Sequence, residues 1–192
     1  MEKKEIRSII RSLKKLIIPN INDISTMERN LFSKVEMLHE FSHSRNILMY
    51  HSLSDEFPTT STLELWQSAG KHIFLPRVNG NNLEIVRYQP GYTHTGAYGI
   101  TEPSNTDETA TADMIDLIIV PAMAFDPNGN RLGRGKGFYD RLFTQSQAVR
   151  IGVCFDFQLL DNIPTEPHDV PMHIVVTPST TINLHNTNKS WL

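Results

Sequence analysis

Between Asp126 and Asp140 the chain reads Asp126-Pro-Asn-Gly-Asn-Arg-Leu-Gly-Arg-Gly-Lys-Gly-Phe-Tyr-Asp140. Gly133, Gly135 and Gly137 alternate with Arg134 and Lys136, and Arg131 stands just upstream. Glycine lets a backbone approach a ligand closely or take a positive φ at little steric cost. The N–H groups of such a loop can form an anion-binding concavity, above all where a helix begins. Arg134 and Lys136 add positive charge, and Asp140 adds a carboxylate suited to a hard cation. The pattern points to phosphate binding with a magnesium ion close by. The plain alternative is a surface turn rich in glycine and solvated charge; three cations among three alternating glycines argue against it.

The loop is not a known phosphate motif. A Walker A pattern would need glycine at position 130 and Ser or Thr at position 137, where Asn130 and Gly137 stand. A dinucleotide fingerprint starting at Gly133 would need a third glycine where Phe138 stands. A second basic element precedes it: Lys3, Arg7, Arg11 and Lys15 fall four apart, on one face of a helix. Cations in a first helical turn oppose the macrodipole. Lys3 and Lys4 are therefore simply solvated, or Lys3 and Arg7 fold over the phosphate bound by the glycine loop.

The elements that must position these groups follow from periodicity. Ile6, Ile9, Ile10, Leu13, Leu16 and Ile17 predict an amphipathic helix over 2–18, ended by Pro19. Asp23 or Ser25 caps a second helix running to about Phe41. Short strands are expected at Asn46–Tyr50, His72–Leu75 and Leu83–Arg87, with a helix over Ser61–Ala69. Asp116-Leu-Ile-Ile-Val-Pro121 reads as the central strand, continuous, apolar and β-branched. The glycine loop follows, then a helix over Gly137–Gln145 and strands at Val149–Phe155 and His173–Thr177. Residues 88–112, polar and broken by Pro90, Gly91, Gly96, Gly99 and Pro103, read as a long irregular binding loop or lid. The tail from Asn183 to Leu192 is expected to fray. The alternation predicts an α/β fold: an open, mostly parallel sheet with helices on both faces and ligands at the strands' carboxyl ends.

The 192 residues suffice for a single domain, 1–192. No apolar run approaches the roughly 18 to 20 residues of a membrane span, and the charged N-terminus does not read as a secretory signal. A net charge of −3 argues against a general nucleic-acid binder. The lone cysteine, Cys154, cannot form an intramolecular disulfide, and its apolar surroundings suit a buried thiol. A cytoplasmic monomer, with no nucleic-acid or membrane partner, is the expectation.

With these residues in view, the chain resembles the 5-formyltetrahydrofolate cyclo-ligase (5,10-methenyltetrahydrofolate synthetase) family over nearly its whole length. The resemblance rests on Lys3-x-x-x-Arg7, Ser54-Asp-Glu56, Leu75-Pro-Arg77, Val120-Pro-Ala122, the span from Phe125 to Asp140, and His168-Asp169. The glycine segment is the specific part. The resemblance implies a fold similar to phosphosugar isomerases and CoA transferases. It implies an ATP- and magnesium-dependent cyclisation of 5-formyltetrahydrofolate to 5,10-methenyltetrahydrofolate, with ADP and phosphate released. ATP would be bound by Lys3, Lys4, Arg7, Arg131, Leu132, Gly133, Arg134, Gly135, Lys136, Gly137, Phe138 and Tyr139. Arg134 and Lys136 would be catalytic, neutralising the transferring phosphoryl group. The folate would meet His51, Glu56, Tyr98 and the span Arg134–Phe138, and Asp140 and Asp169 would hold Mg2+.

Some positions depart from the family pattern. His51 stands where an apolar residue is common, Phe138 replaces a frequent tyrosine, Tyr98 falls near a common tryptophan, and His173 sits where an acid is frequent. No phosphate or metal group is lost among them. Two rival functions remain: a phosphosugar isomerase or CoA transferase, which needs no ATP, and a non-catalytic sensor of folate or ATP.

Overall fold

Leu117, Ile118, Ile119 and Val120 are all fully buried, because a strand in the middle of a parallel sheet is covered on both faces. A computed structural model describes residues 1–96, 99–104 and 108–184. Its helices are α1 (Lys3–Ile17), α2 (Ile24–Glu36), α3 (His39–His43), α4 (Thr60–Ser68) and α5 (Phe138–Phe143). The first three strands are β1 (Asn46–Leu48), β2 (His72–Asn79) and β3 (Asn82–Arg87), followed by β4 (Thr93–Thr95), β5 (Thr101–Pro103) and β6 (Thr109–Ala110). Then come β7 (Leu117–Val120), β8 (Ala124–Phe125), β9 (Arg131–Leu132), β10 (Val149–Val153), β11 (Ile174–Val176) and β12 (Thr181–Asn183).

The main sheet has the order β12-β11-β10-β7-β1-β2-β3-β6. The pairs from β11 through β2 are parallel, and the pairs outside them are antiparallel. Strand periodicity splits the core in two. Ile47, Leu117 and Ile119 pack with Leu31 and Phe32 of α2 and Leu63 and Trp66 of α4. Leu48, Ile118 and Val120 pack on the opposite face with Leu142 and Phe143 of α5. The chain leaves β1 for β2 through α4, and β7 for β10 through α5, so strand order reverses between β1 and β7. That crevice is where such sheets bind ligands.

Several expectations shift. The second helix stops at Glu36 and restarts at His39, because Leu38 takes an extended conformation (ψ 139°). The 88–112 stretch is not irregular throughout: β4 pairs with β5, and β6 extends the sheet beside β3. The fraying expected from Asn183 onward does not hold at its first two residues: Asn183 of β12 pairs with Ile174 of β11, and the Leu184 N–H donates to His173 O (2.8 Å). Residues 185–192 lie outside the described residues.

Candidate active site

The anchor of the glycine segment is Asp126, fully buried. Its Oδ1 accepts the N–H groups of Asn128 (2.9 Å) and Asn130 (3.0 Å), and its Oδ2 accepts Asn130 Nδ2 (2.9 Å) and the Ile163 N–H (2.9 Å). These bonds close the β8–β9 hairpin. Gly129, at φ 81°, completes it, and a Cβ there would lie 2.6 Å from Met172 O. Gln158 braces the entry by donating to Ala122 O (3.0 Å) and Met123 O (2.9 Å). Leu132 is buried against Ile6 and Ile10 of α1, so only its backbone can serve a ligand. Beyond it, Gly135 (φ 98°) and Gly137 (φ 68°) take conformations that favour glycine.

The packing of α1 on this hairpin brings the two basic elements together. Arg7 Nε donates to Gly133 O (2.9 Å), and Lys3 Nζ reaches Asp169 Oδ2 (2.6 Å) and Glu166 Oε1 (3.5 Å). Burial opposes ionisation of Asp169, but the hydrogen bonds from Lys3 and the Glu166 N–H, with the charges of Lys3 and His168, together outweigh it and hold the carboxyl below its ordinary value. Arg131 Nη2 pairs with Asp140 Oδ1 (2.8 Å), and its guanidinium lies 5.5 Å from the centre of the Tyr139 ring. The loop after β1 supplies acids. Arg134 Nη2 donates to Asp55 Oδ1 (2.6 Å) and Glu56 Oε1 (3.0 Å), while Glu56 Oε2 caps the Leu53 N–H (3.1 Å).

These groups line one cleft of about 1250 Å³ at the carboxyl ends of β1, β2 and β7. Lys3, Lys4, Arg7, His51, Glu56, every residue from Arg131 to Asp140, and Asp169 all line it. Tyr98 lies outside the described residues. Two buried nitrogens on the wall, His51 Nδ1 and Arg131 Nε, have no hydrogen-bond partner among the described residues. Burial pulls His51 below the usual histidine range, which favours neutral imidazole. Since α5 has only six residues, the groups on this wall that can meet an anion are side-chain cations and loop N–H groups rather than a helix dipole. His173, the fourth departure, is used structurally: its Nδ1 accepts the Arg150 N–H (3.0 Å).

Sequence reasoning gave Asp126 and Gln158 no role, although both hold the hairpin in place. Asp126, followed by Pro127, Asn128 and Gly129, carries a turn signal; nothing local marks Gln158. Asp55, within the Ser54-Asp-Glu56 run, has nothing local to mark it as a partner of Arg134.

The family model described as the 5-formyltetrahydrofolate cyclo-ligase family matches residues 1–178. A 5-formyltetrahydrofolate cyclo-ligase of Mycolicibacterium smegmatis is 36% identical over 143 residues, 70% of this chain and 74% of the relative. One from Haemophilus influenzae is 29% identical over 181 residues, covering 89% and 95%. The solution structure of Aquifex aeolicus 5,10-methenyltetrahydrofolate synthetase superposes with a TM-score of 0.84 at 30% identity, covering 97% of this chain and 94% of that one.

Proposed function

Since the chain belongs to the 5-formyltetrahydrofolate cyclo-ligase family, we propose that this cleft carries out the ATP-dependent cyclisation of 5-formyltetrahydrofolate to 5,10-methenyltetrahydrofolate. The observation that carries the reading is convergence. Cations of α1, the glycine loop and the acidic loop after β1, far apart in sequence, line one cleft. Its 1250 Å³ exceeds the roughly 300–1,000 Å³ of a site for one drug-sized ligand, leaving room for a nucleotide and a folate together.

The formyl oxygen attacks the γ-phosphorus of ATP and displaces ADP. The nitrogen at position 10 then closes onto the activated carbon, loses its proton, and phosphate leaves with the oxygen. An amide oxygen is a poor leaving group; phosphorylation makes it a good one. Such transfer rests on positioning and charge neutralisation. Lys3, Lys4 and Arg7 hold the ATP phosphates from one side, and the backbone and side chains of 131–139 cradle them from the other. Arg134 and Lys136 neutralise the transferring group. Glu56 accepts hydrogen bonds from the pterin's amino and ring N–H groups, and the unpartnered His51 Nδ1 offers a second polar contact. Tyr98 belongs to the folate side of the same reading.

The carboxylates suit magnesium by donor type. Arg131 takes Oδ1 of Asp140, and the hydrogen bonds at Asp169 converge on Oδ2. Each carboxylate thus keeps a second oxygen for a hard cation. Asp140 and Asp169 would hold Mg2+, which when bound supplies further neutralisation of the phosphate oxygens. Glu166 and His168 stand beside Asp169, with one donor atom of each of the three within 4.8 Å of the others. The reading extends to one domain over 1–192, working as a monomer in the cytoplasm. The single buried cysteine suits a reducing compartment. Among the described residues no helix is long and apolar enough to cross a membrane.

The test is the methenyl product's absorbance on mixing the protein with 5-formyltetrahydrofolate, ATP and magnesium, with each omitted in turn. A rise that requires all three supports the reading. A folded, ATP-binding protein that gives no rise would refute it.

A further inference from the structure

Lys14 stands on α1 about two turns beyond Arg7 on the same face, and only 3% of it is exposed. Its Nζ has no hydrogen-bond partner among the described residues. Facing it is Asp55 Oδ2, at 3.6 Å, longer than a hydrogen bond but close enough for attraction, which water at the 38%-exposed Asp55 side chain partly screens. The other oxygen of Asp55 binds Arg134 Nη2 at 2.6 Å. Asp55 therefore lies between two cations. Arg134, with 43% of its side chain exposed, lines the cleft; Lys14 is enclosed behind the acidic loop.

A buried ammonium whose counter-charge stands at 3.6 Å is incompletely compensated and costly, and burial lowers the Lys14 pKa although the charge of Asp55 resists. The arrangement needs a reason beyond packing. Arg134 rests on two carboxylates, Asp55 and Glu56, which cancel the charge it would bring to a transferring phosphoryl group. If Asp55 let go of Arg134 with no other partner, it would become an uncompensated anion beside a polyphosphate.

We propose that Lys14 is a positioning residue that receives Asp55 when Arg134 turns to the phosphoryl group. Closing the 3.6 Å gap to the ~2.8 Å of a charge-assisted hydrogen bond satisfies the Lys14 ammonium. The same movement keeps the acidic loop docked on α1 and leaves Arg134 with one carboxylate partner, Glu56, in place of two. The inference rests on the reading of Arg134 as a transfer cation.

The experiment measures kcat and both KM values by the methenyl absorbance assay for Lys14→Met, Asp55→Asn, the double variant and Arg134→Ala. Lys14→Met strands Asp55 on Arg134, so its kcat falls roughly tenfold, within the range of coupling between contacting residues, with KM for either substrate changed less. In the double variant no carboxylate needs a new partner, and kcat returns to within about threefold of Asp55→Asn alone, a non-additivity that loss of packing would not produce. An unchanged kcat in Lys14→Met, or the same fold-loss with and without Asp55→Asn, overturns the handover. Should Lys14→Met fail to fold, Lys14→Gln is judged by the same two comparisons. Arg134→Ala separates the premises. Near-normal turnover there refutes the reading of Arg134 itself, whereas a large loss together with additive Lys14 effects refutes only the handover.

Discussion

Asp126→Ala should destabilise the protein and weaken ATP use together, because one carboxylate holds the hairpin from which the glycine loop, the proposed phosphate site, springs. Four donors lose their acceptor: the N–H groups of Asn128, Asn130 and Ile163, and the Asn130 side-chain amide. Asn128 is exposed and its N–H rehydrates at little cost. Ile163 is 2% exposed, and a buried orphan donor costs about 1–3 kcal/mol. With Asn130 half-exposed between these limits, the total is about 3 kcal/mol. For a chain of this length, that corresponds to a fall in Tm of roughly 6 to 12 °C. Asp126→Asn keeps an acceptor for Asn128 and Asn130 but meets the Ile163 N–H and the Asn130 amide with a donor, so it falls between Ala and wild type. Thermal unfolding followed by circular dichroism measures the stability, and the KM for ATP below the transition measures the site. Because Arg131 belongs to the tethered strand, KM for ATP should rise in Asp126→Ala more than KM for the folate. A Tm within 2 °C of wild type would mean that the released N–H groups find other partners, and that Asp126 does not hold the hairpin.

Lys136→Ala should lower kcat by about 10²–10³-fold, the usual cost of removing a group that stabilises developing charge, while folate binding followed by fluorescence titration changes little; near-normal turnover at saturating ATP would remove Lys136 from the transfer step. Glu56→Gln should raise the folate KM about tenfold and leave KM for ATP nearly unchanged, and the opposite pattern would mean that the folate lies elsewhere in the cleft. Away from the site, Asp156 clamps the last turn by accepting from Thr177 Oγ1 (2.5 Å) and Ser179 Oγ (2.6 Å). Burial opposes its ionisation, but the bonds from Ser179 and Thr177 outweigh it and leave the pKa below the ordinary 3.8. A depressed folded pKa contributes stability that is present above the unfolded value and lost as pH falls through the folded one. The gap in urea stability between wild type and Asp156→Asn should therefore hold from pH 7 to about pH 5 and shrink below pH 4; a gap independent of pH would remove the carboxylate's charge from the account.

What the sequence made legible follows from the range of the forces involved. β7 was readable because four consecutive apolar residues, three of them β-branched, suit only a strand buried on both faces. α1 was readable from Ile6 and Ile10, one turn apart and both buried. β12 was not readable: three residues, Thr181–Asn183, take their register from pairing with β11 and carry no run of their own. The two-residue strands β8 and β9 depend on the Asp126 side chain, a tertiary device rather than a strand propensity. The break between α2 and α3 has no glycine or proline to announce it. At the site, residue types and motif spacing named the groups but not their partners. That Arg134 rests on Asp55 and Glu56 depends on how the loop after β1 meets the loop after β9, 79 residues apart at Asp55.

Those partners change the chemistry inferred from the motif. Read as a string, 131–136 is a cationic loop; folded, its two arginines each face carboxylates. Arg131 lies on Asp140, Arg134 on Asp55 and Glu56, and Lys3 on Asp169 across the cleft. A cleft assembled from such pairs has a weaker field than its cations alone would give, which accords with a chain whose net charge is −3. It also gives binding a direction. A polyphosphate must compete with carboxylates for each guanidinium, and every carboxylate displaced needs a new counter-charge. On the proposed reading, a divalent cation arriving with the nucleotide would meet that need for Asp140 and Asp169. For Asp55, in the described structure, the available cation is the buried ammonium of Lys14. On this account the acids of the cleft are the resting partners of its cations, and the order in which those partnerships are exchanged would couple the acidic loop after β1 to the glycine loop.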